Sequence, residues 1–194
     1  MKGIDVLKFQ LNGSFNLISE RMERLTDEEW NTRAMPGTSK LGFILWHASR
    51  ILDWTLNSAF QGAPEVADRA PWRERFPREA AYGAGIGDAV ADRAIDSITR
   101  ADGIAYLDDV KAAFMEWLGR QTDQTLDAVP PLKANQEARP GYLDPPVWAE
   151  VASLDGLPMW QILARPCVSH VRVHMGEHDV LYNALRAGAP SPRG

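Results

Sequence analysis

The sequence contains little cysteine, no long apolar run and no concentration of positive charge. Its single cysteine, Cys167, excludes an internal disulfide framework and a cysteine-rich structural zinc site. No stretch approaches the roughly 20 apolar residues that span a bilayer, and the N-terminus lacks the apolar run of an export signal. The 21 Lys and Arg residues form no cluster and are outnumbered by 26 Asp and Glu residues, which argues against nucleic acid as a partner. We therefore expect a cytoplasmic protein with neither a membrane nor a nucleic-acid partner.

A repeated apolar spacing is the main structural signal. The length of 194 residues fits one domain with a real hydrophobic core, and we expect residues 1–194 to form that single domain. Apolar residues recur at spacings of three and four in four segments, while no β pattern and no internal repeat is present. The sequence therefore predicts an all-α four-helix bundle. Its helices are expected at about residues 4–25, 41–60, 104–126 and 158–188.

A long crossover is predicted between the second and third helices, at about residues 62–103, where proline and glycine interrupt the helical period. A short helical fragment is expected within it, at about residues 89–98. The segment Gly83-Ala84-Gly85-Ile86-Gly87 has no strand before it and no Lys-Ser/Thr pair after it, so we interpret it as a flexible linker rather than a phosphate loop. Arginines and aromatics between Arg69 and Arg78 indicate a solvated or interface segment, with binding of substrate carboxylates as the alternative.

The four histidines lie in two of the predicted helices. His170 and His174 project to nearly the same side of the last helix, one turn apart, because each residue turns the helix by about 100°. His47 lies on the apolar face of the second helix. Three imidazoles from two helices would hold a divalent ion and leave coordination positions open for water or substrate. The sequence therefore predicts a metal site at His47, His170 and His174, with zinc first and nickel, iron or manganese as alternatives.

Other residues of the last helix are candidates for supporting roles. Glu177, two turns after His170, is predicted to hydrogen-bond a ligating imidazole or to act as a general base. His178 is rotated about 80° from His170 and is either an acid or base or a flanking polar residue. Cys167 is expected in the core, and Gly176 is expected to permit close helix packing beside the site. The catalytic candidates are thus Glu177 and His178.

Two motifs resemble the DinB-like superfamily of metal-dependent enzymes, which includes thiol-dependent S-transferases and mycothiol-dependent maleylpyruvate isomerase. The resemblance covers about residues 1–60 and 104–186. In that family a second-helix histidine and a His-x-x-x-His pair supply three metal ligands, and by position these correspond to His47, His170 and His174. The motifs are Leu45-Trp46-His47 and Ser169-His170-Val171-Arg172-Val173-His174-Met175-Gly176-Glu177.

The resemblance implies an enzyme that uses a low-molecular-weight thiol, such as mycothiol or bacillithiol, to transfer or isomerise a small-molecule substrate. Metal-assisted hydrolysis fits the same ligands equally well. A second hypothesis is a non-enzymatic metal-binding or stress-response protein, acting as a homodimer through an exposed helix face. A third is a metal-free helical scaffold with buried histidines. Ser169 and Met175 stand where asparagine and arginine are frequent in the family, which leaves the substrate more open than the metal.

Overall fold

The computed structural model describes residues 2–188, and every regular element in that range is a helix, as the all-α prediction requires. One isolated bridge pairs Arg33 with Lys40. Among these residues no helix combines the length and the apolar character needed to cross a membrane. The first, second, third and last long helices span Gly3–Arg24, Leu41–Trp54, Arg100–Gly119 and Val171–Gly188.

The first long helix forms because apolar side chains recur on one face, and its predicted range is confirmed. Its first backbone N–H groups are satisfied by a distant side chain. The carboxylate of Asp123 accepts hydrogen bonds from the N–H groups of Gly3 and Ile4, at 3.2 and 2.6 Å. Because a helix N-terminus favours negative charge, this contact fixes the start of the helix. The buried stripe consists of Ile4, Leu11, Phe15, Ile18 and Met22.

Trp30 packs against both the second and the third long helix. It ends a short helix that begins with a capping box, in which Thr26 Oγ1 accepts from the N–H of Glu29 at 3.2 Å and the Glu29 carboxylate accepts from the N–H of Thr26 at 2.8 Å. The Trp30 ring is fully buried. A Cβ atom at Gly42 or Gly103 would lie 2.5 or 2.6 Å from that ring. These two glycines therefore let the second and third long helices approach the indole closely.

The second long helix is the central element. Of the residues between Leu41 and Trp54, all but Phe43 are buried, and the helix contacts the first, third and last long helices. It continues as a π-helical segment at Thr55–Phe60, so the predicted range of residues 41–60 is confirmed. A helix that is apolar on almost every face must be surrounded by other helices. Any functional group on it therefore lies inside the fold.

The third long helix differs from its prediction at both ends. It starts earlier, because Thr99 and Asp102 form a capping box with bonds of 3.1 and 2.9 Å. It ends at Gly119 rather than near residue 126. Thr122 then caps a separate short helix at Asp123–Leu126. The apolar period continues across this break, and periodicity alone does not show that the chain leaves one helix and enters another.

The last helical region begins after Pro158, as predicted, with Met159–Ile162. A π-helical segment at Leu163–His170 follows and contains Pro166. Proline has no backbone N–H and clashes with the preceding turn, so an α-helical hydrogen-bond pattern cannot pass through it unchanged. π-helical turns are a common way to absorb such an interruption and occur often at functional sites. The segment leads directly into Val171–Gly188.

The crossover between the second and third long helices is irregular, and its predicted helical fragment is confirmed at Asp88–Asp96. Its glycine motif is packed against the rest of the fold rather than free. Gly85 has φ +66°, and a Cβ atom there would lie 2.4 Å from the carbonyl oxygen of Pro146. Short helical turns precede the motif at Val66–Asp68, Trp72–Arg75 and Arg78–Ala80.

Candidate metal centre

His47 is held by the crossover. Its ring is 5% exposed, and its Nδ1 lies 2.8 Å from the carbonyl oxygen of Tyr82. A carbonyl oxygen only accepts hydrogen bonds, so Nδ1 carries the proton and donates it. The Nε2 lone pair of a neutral ring is then free, which is the form that binds a metal. The ring of Phe43 stacks on the imidazole, with 6.2 Å between the ring centroids and an interplanar angle of 8°.

Gly83 makes this contact possible. Its φ is +89°, a backbone conformation that favours glycine. A Cβ atom at this position would lie 2.7 Å from Nδ1 of His47 and 3.0 Å from the ring of Trp46. The crossover can therefore bring the Tyr82 carbonyl against the imidazole only because residue 83 has no side chain.

The other two histidines come from the last helical region. His170 is the final residue of the π-helical segment, and His174 lies one turn further along. Their Nε2 atoms are 3.1 Å apart. The Nδ1 of His170 is buried and has no hydrogen-bond partner among the described residues. A buried polar atom without a partner is costly, and His170 thus lacks, within the described part of the chain, the orienting hydrogen bond at Nδ1 that His47 has.

The three imidazoles converge. His47 lies 5.3 Å from His170 and 4.9 Å from His174 between ring centroids, and the latter two are 4.4 Å apart. The three interplanar angles are 78°, 89° and 86°, so the rings are close to mutually perpendicular. One nitrogen from each ring lies within 4.8 Å of the others. Tetrahedral zinc with Zn–N bonds of about 2.0–2.1 Å needs nitrogens about 3.4 Å apart, so small side-chain movements complete that geometry.

Burial keeps two of the three imidazoles uncharged. Desolvation, followed by the proximity of His174 and His170, lowers the pKa of His47 to about 3. Desolvation and the proximity of His174 lower the pKa of His170 to about 4. Both rings are therefore neutral at pH 7, and a metal ion does not have to displace protons from them.

Glu177 contacts the cluster directly. Its Oε2 lies 2.9 Å from Nδ1 of His174, and this hydrogen bond is the main reason why the pKa of Glu177 is lowered. An ionised carboxylate accepts from Nδ1–H and leaves the Nε2 of His174 free, facing His170. The predicted contact between Glu177 and an imidazole of the cluster is therefore present.

His178 lies outside the cluster. It is fully buried, and its ring stacks on Tyr182 at 6.1 Å and 12°. Its nearest carboxylate is that of Asp179, at 3.7 Å. Neither ring nitrogen has a hydrogen-bond partner among the described residues. The role of His178 as an acid or base thus stays a prediction, as does the alternative of a flanking polar residue, which would here be a buried one.

Two further predictions near the histidines have opposite outcomes. Cys167 is fully buried as expected, and burial raises the pKa of its thiol to about 12. Gly176 was expected to allow close helix packing. A Cβ atom at Gly176 would meet nothing within 4 Å, so that expectation is wrong.

A cavity of about 300 Å³ opens beside His47 and His170. This volume is at the lower end of the range for small-molecule sites. Polar groups at its wall come from Glu150 and Arg165, together with two serines. The rest of its lining is mainly apolar and includes Ile51, Tyr82, Ala84, Val151, Leu154, Pro166 and Val173.

Sequence reasoning identified the three imidazoles but missed the crossover residues that support them. Tyr82 contributes through its backbone carbonyl, and a carbonyl has no sequence signature. Gly83 belongs to the glycine-rich segment that the sequence predicts to be a flexible linker. Glycine at positive φ also permits close approach of the backbone to a side chain. The interpretation as a linker does not include this second role.

Comparison with known proteins identifies a family. The DinB superfamily model matches residues 10–152. This range contains His47 and ends before the helix that carries His170 and His174. Comparison with curated proteins finds no match. Since the matched range covers well over half of the sequence, the chain belongs to the DinB superfamily.

Proposed function

We propose that His47, His170 and His174 bind a divalent metal ion, with zinc first and nickel, iron or manganese as alternatives. The observation that carries this proposal is the convergence of three imidazoles from two helices, with their nitrogens within 4.8 Å of one another. Membership of a family associated with metal binding supports it. We also propose that the four long helices form a four-helix bundle in one domain, with the site between the second and last.

The chain supplies the surroundings that a reactive metal centre needs. When bound, the ion supplies Lewis acidity that lowers the pKa of a thiol or water beside it. The Tyr82 carbonyl and the Glu177 carboxylate orient two of the three imidazoles. The mainly apolar lining of the cavity beside His47 lowers the local dielectric constant and so strengthens electrostatic effects at its wall. Glu177 accepts the Nδ1 proton of His174 in a hydrogen bond, so the Nε2 of that ring stays free to bind the ion.

We propose on this basis a metal-dependent enzyme that acts on a small molecule by transfer, isomerisation or hydrolysis. The supporting observations are the cavity of about 300 Å³ and the three-nitrogen donor set, which leaves coordination positions open. A low-molecular-weight thiol such as mycothiol or bacillithiol is the co-substrate suggested by resemblance to thiol-dependent relatives, and water is the alternative. A cytoplasmic location and a homodimer remain predictions.

Elemental analysis of tag-free protein tests the metal site. We expect near-stoichiometric metal in the wild type and its loss in both His47→Ala and His174→Ala. His178→Ala is the matched control, because it removes a buried histidine of the same helix that lies outside the cluster. Full metal retention in the His47 variant would contradict a site shared between the two helices.

Turnover assays distinguish the enzyme from a binding protein. A metal-dependent enzyme should consume a small electrophile or ester only when metal is bound and lose this activity in His174→Ala. Dependence on an added thiol would favour transfer or isomerisation, and turnover in its absence would favour hydrolysis. A metal-loaded wild type without turnover on either substrate class would support the non-enzymatic metal-binding or stress-response protein instead.

A further inference from the structure

A second cavity, of about 460 Å³, lies on the other side of the crossover and is lined by arginines. We name it the arginine cavity, after its lining residues Arg50, Arg73, Arg78 and Arg139. One carboxylate, that of Asp68, also lines it. Four arginines around one cavity are unexpected in a chain with a net charge of −5. None of the three clustered histidines lines this cavity.

Arg50 forms a rigid, charged wall. Its side chain is 4% exposed, and its guanidinium donates to the carbonyl oxygen of Ala81 at 2.8 and 3.2 Å and contacts Asp53 at 3.1 Å and Glu65 at 2.7 Å. Tyr106 and Tyr142 accept its remaining N–H groups at 2.9 and 3.0 Å. All N–H donors of Arg50 are used within the protein. Arg50 therefore contributes a fixed positive charge to the cavity wall and has no free donor for a ligand.

The other three arginines retain free donors. Arg139 pairs with Asp68 at 2.8 Å and with Glu65 at 3.2 Å, yet its Nε is buried and has no hydrogen-bond partner among the described residues. The side chains of Arg73 and Arg78 make no hydrogen bond or ion pair with any residue from 2 to 188. Arg73 and Arg78 are exposed residues of the cavity lining, and their free guanidinium donors match the oxygens of a carboxylate or phosphate.

Apolar surface completes the cavity. Phe76 is half-buried on its wall, beside Pro64, Pro77 and Pro140. The Tyr142 ring lies under Arg139, with the guanidinium carbon 4.8 Å from its centroid. A site with guanidinium donors and aromatic or proline surface suits a small organic anion better than an inorganic one. The volume of about 460 Å³ accommodates a single aromatic ring with an acidic group.

We propose that the arginine cavity binds a small organic anion through a carboxylate or phosphate group. Arg73 and Arg78 hold the acidic group, Arg139 adds a positive charge at the cavity wall, and Phe76 packs against the apolar part. The arginine cavity is separate from the metal centre but shares a wall with it. Arg50 bonds to the Ala81 carbonyl on one side, and His47 bonds to the adjacent Tyr82 carbonyl on the other. This inference does not depend on metal binding.

Calorimetric titration of the full chain tests the proposal, with phenyl phosphate and benzoate as anionic probes and benzamide as the neutral one. Arg73→Gln/Arg78→Gln should weaken binding of the anions by about tenfold or more, because two charged donors are lost. Arg120→Gln/Arg186→Gln is the charge-matched control. Both of its residues are exposed outside the cavity, so its affinity should remain within about twofold of the wild type.

Two further measurements locate the bound anion. His174→Ala should retain binding, whereas an anion coordinated by metal would be lost with the metal. The ¹⁵N-correlated signal of the Arg139 Nε–H group should shift on titration. The proposal is overturned if the wild type binds neither anion, if benzamide binds as tightly, if the charge-matched control weakens equally, if His174→Ala abolishes binding, or if binding leaves the Arg139 signal unmoved.

Discussion

At the scale of single residues, each of two clustered imidazoles has one partner that decides which nitrogen is free. For His47 the partner is the Tyr82 carbonyl, and for His174 it is Glu177. Such partners fix the tautomer and orientation of a ligand, and removing them from metal sites commonly lowers affinity by about 10–100-fold. Backbone carbonyls cannot be substituted. Glu177 is therefore the position at which the effect is directly testable.

Glu177→Ala should lower metal affinity by about 10–100-fold while leaving the metal stoichiometry at saturation unchanged. Glu177→Gln should lose less, because the amide oxygen still accepts from Nδ1–H of His174. Competition with a chelator of known affinity measures both. Glu150→Ala is the control, since Glu150 is an exposed carboxylate at the nearby cavity without a hydrogen bond to an imidazole. Equal losses in the Glu150 variant would show a general charge effect instead.

His178 makes a pH-dependent contribution to stability. Desolvation, with smaller effects from Arg24 and Arg21, lowers its pKa from 6.5 to about 4, although Asp179 opposes the shift. Between these two values the unfolded chain binds a proton that the folded chain does not. The free energy of unfolding therefore falls as pH decreases through this window.

His178→Leu should remove that dependence. Between about pH 7 and about pH 5 we expect the wild type to lose on the order of 2 kcal/mol more stability than the variant. Urea unfolding of both proteins in the presence of chelator measures the difference. The three clustered histidines are present in both proteins, so their contributions cancel in the difference. Parallel pH profiles would show that the buried ring is not held neutral.

At the scale of helices, glycines lie both where neighbouring groups are very close and where the surroundings are open. A Cβ atom at Gly176 would meet nothing within 4 Å, whereas one at Gly42 would lie 2.5 Å from the Trp30 ring. In the interior of a helix, glycine is less stable than alanine by about 0.5–1 kcal/mol. Both positions are helical. Replacement by alanine should therefore have opposite effects at these two positions.

Gly176→Ala should raise the free energy of unfolding by about 0.5–1 kcal/mol without changing metal content. Gly42→Ala should lower it by about 1–3 kcal/mol, because the new methyl group overlaps a buried indole. Chemical denaturation of the two variants beside the wild type measures both effects. Destabilisation by the Gly176 variant would mean that this helix face is covered by another chain.

Helix periodicity predicted the long helices because each buries one continuous stripe. Spacings of three and four located the first and second helices and placed His170 and His174 on one side of the last. Periodicity did not predict the helix ends that polar capping residues set, as at Thr99 and Thr122. Caps interrupt a helix without interrupting the apolar period.

Crossover residues were harder to predict, because their roles depend on distant partners. Gly83 supports His47, and Ala81 accepts from Arg50. Ala81 even has φ +45°, an unusual conformation for a residue with a side chain. Nothing in the local sequence specifies these contacts, since each depends on the crossover folding back onto the second long helix. The available sequence signal was the presence of Arg50 and Asp53 in a mainly apolar helix, which indicates a buried polar network.

At the scale of the whole molecule, the proposed metal ion would connect parts of the chain that are far apart in sequence. The family match includes His47, while the other two imidazoles lie beyond it. A cation held by both parts binds the folded chain and not the unfolded one. It must therefore stabilise the fold by mass action.

Saturating zinc should raise the melting temperature of chelator-treated wild type. At free zinc about 100 times the dissociation constant the gain is about 2.7 kcal/mol, which corresponds to about 5–10 °C for a protein of this size. Scanning calorimetry across a zinc series should show this rise in the wild type and in His178→Leu, which keeps the three clustered imidazoles. His174→Ala should show little change. A melting temperature that is independent of zinc in the wild type would support the metal-free helical scaffold, because a ligand of the folded state cannot bind without shifting that equilibrium.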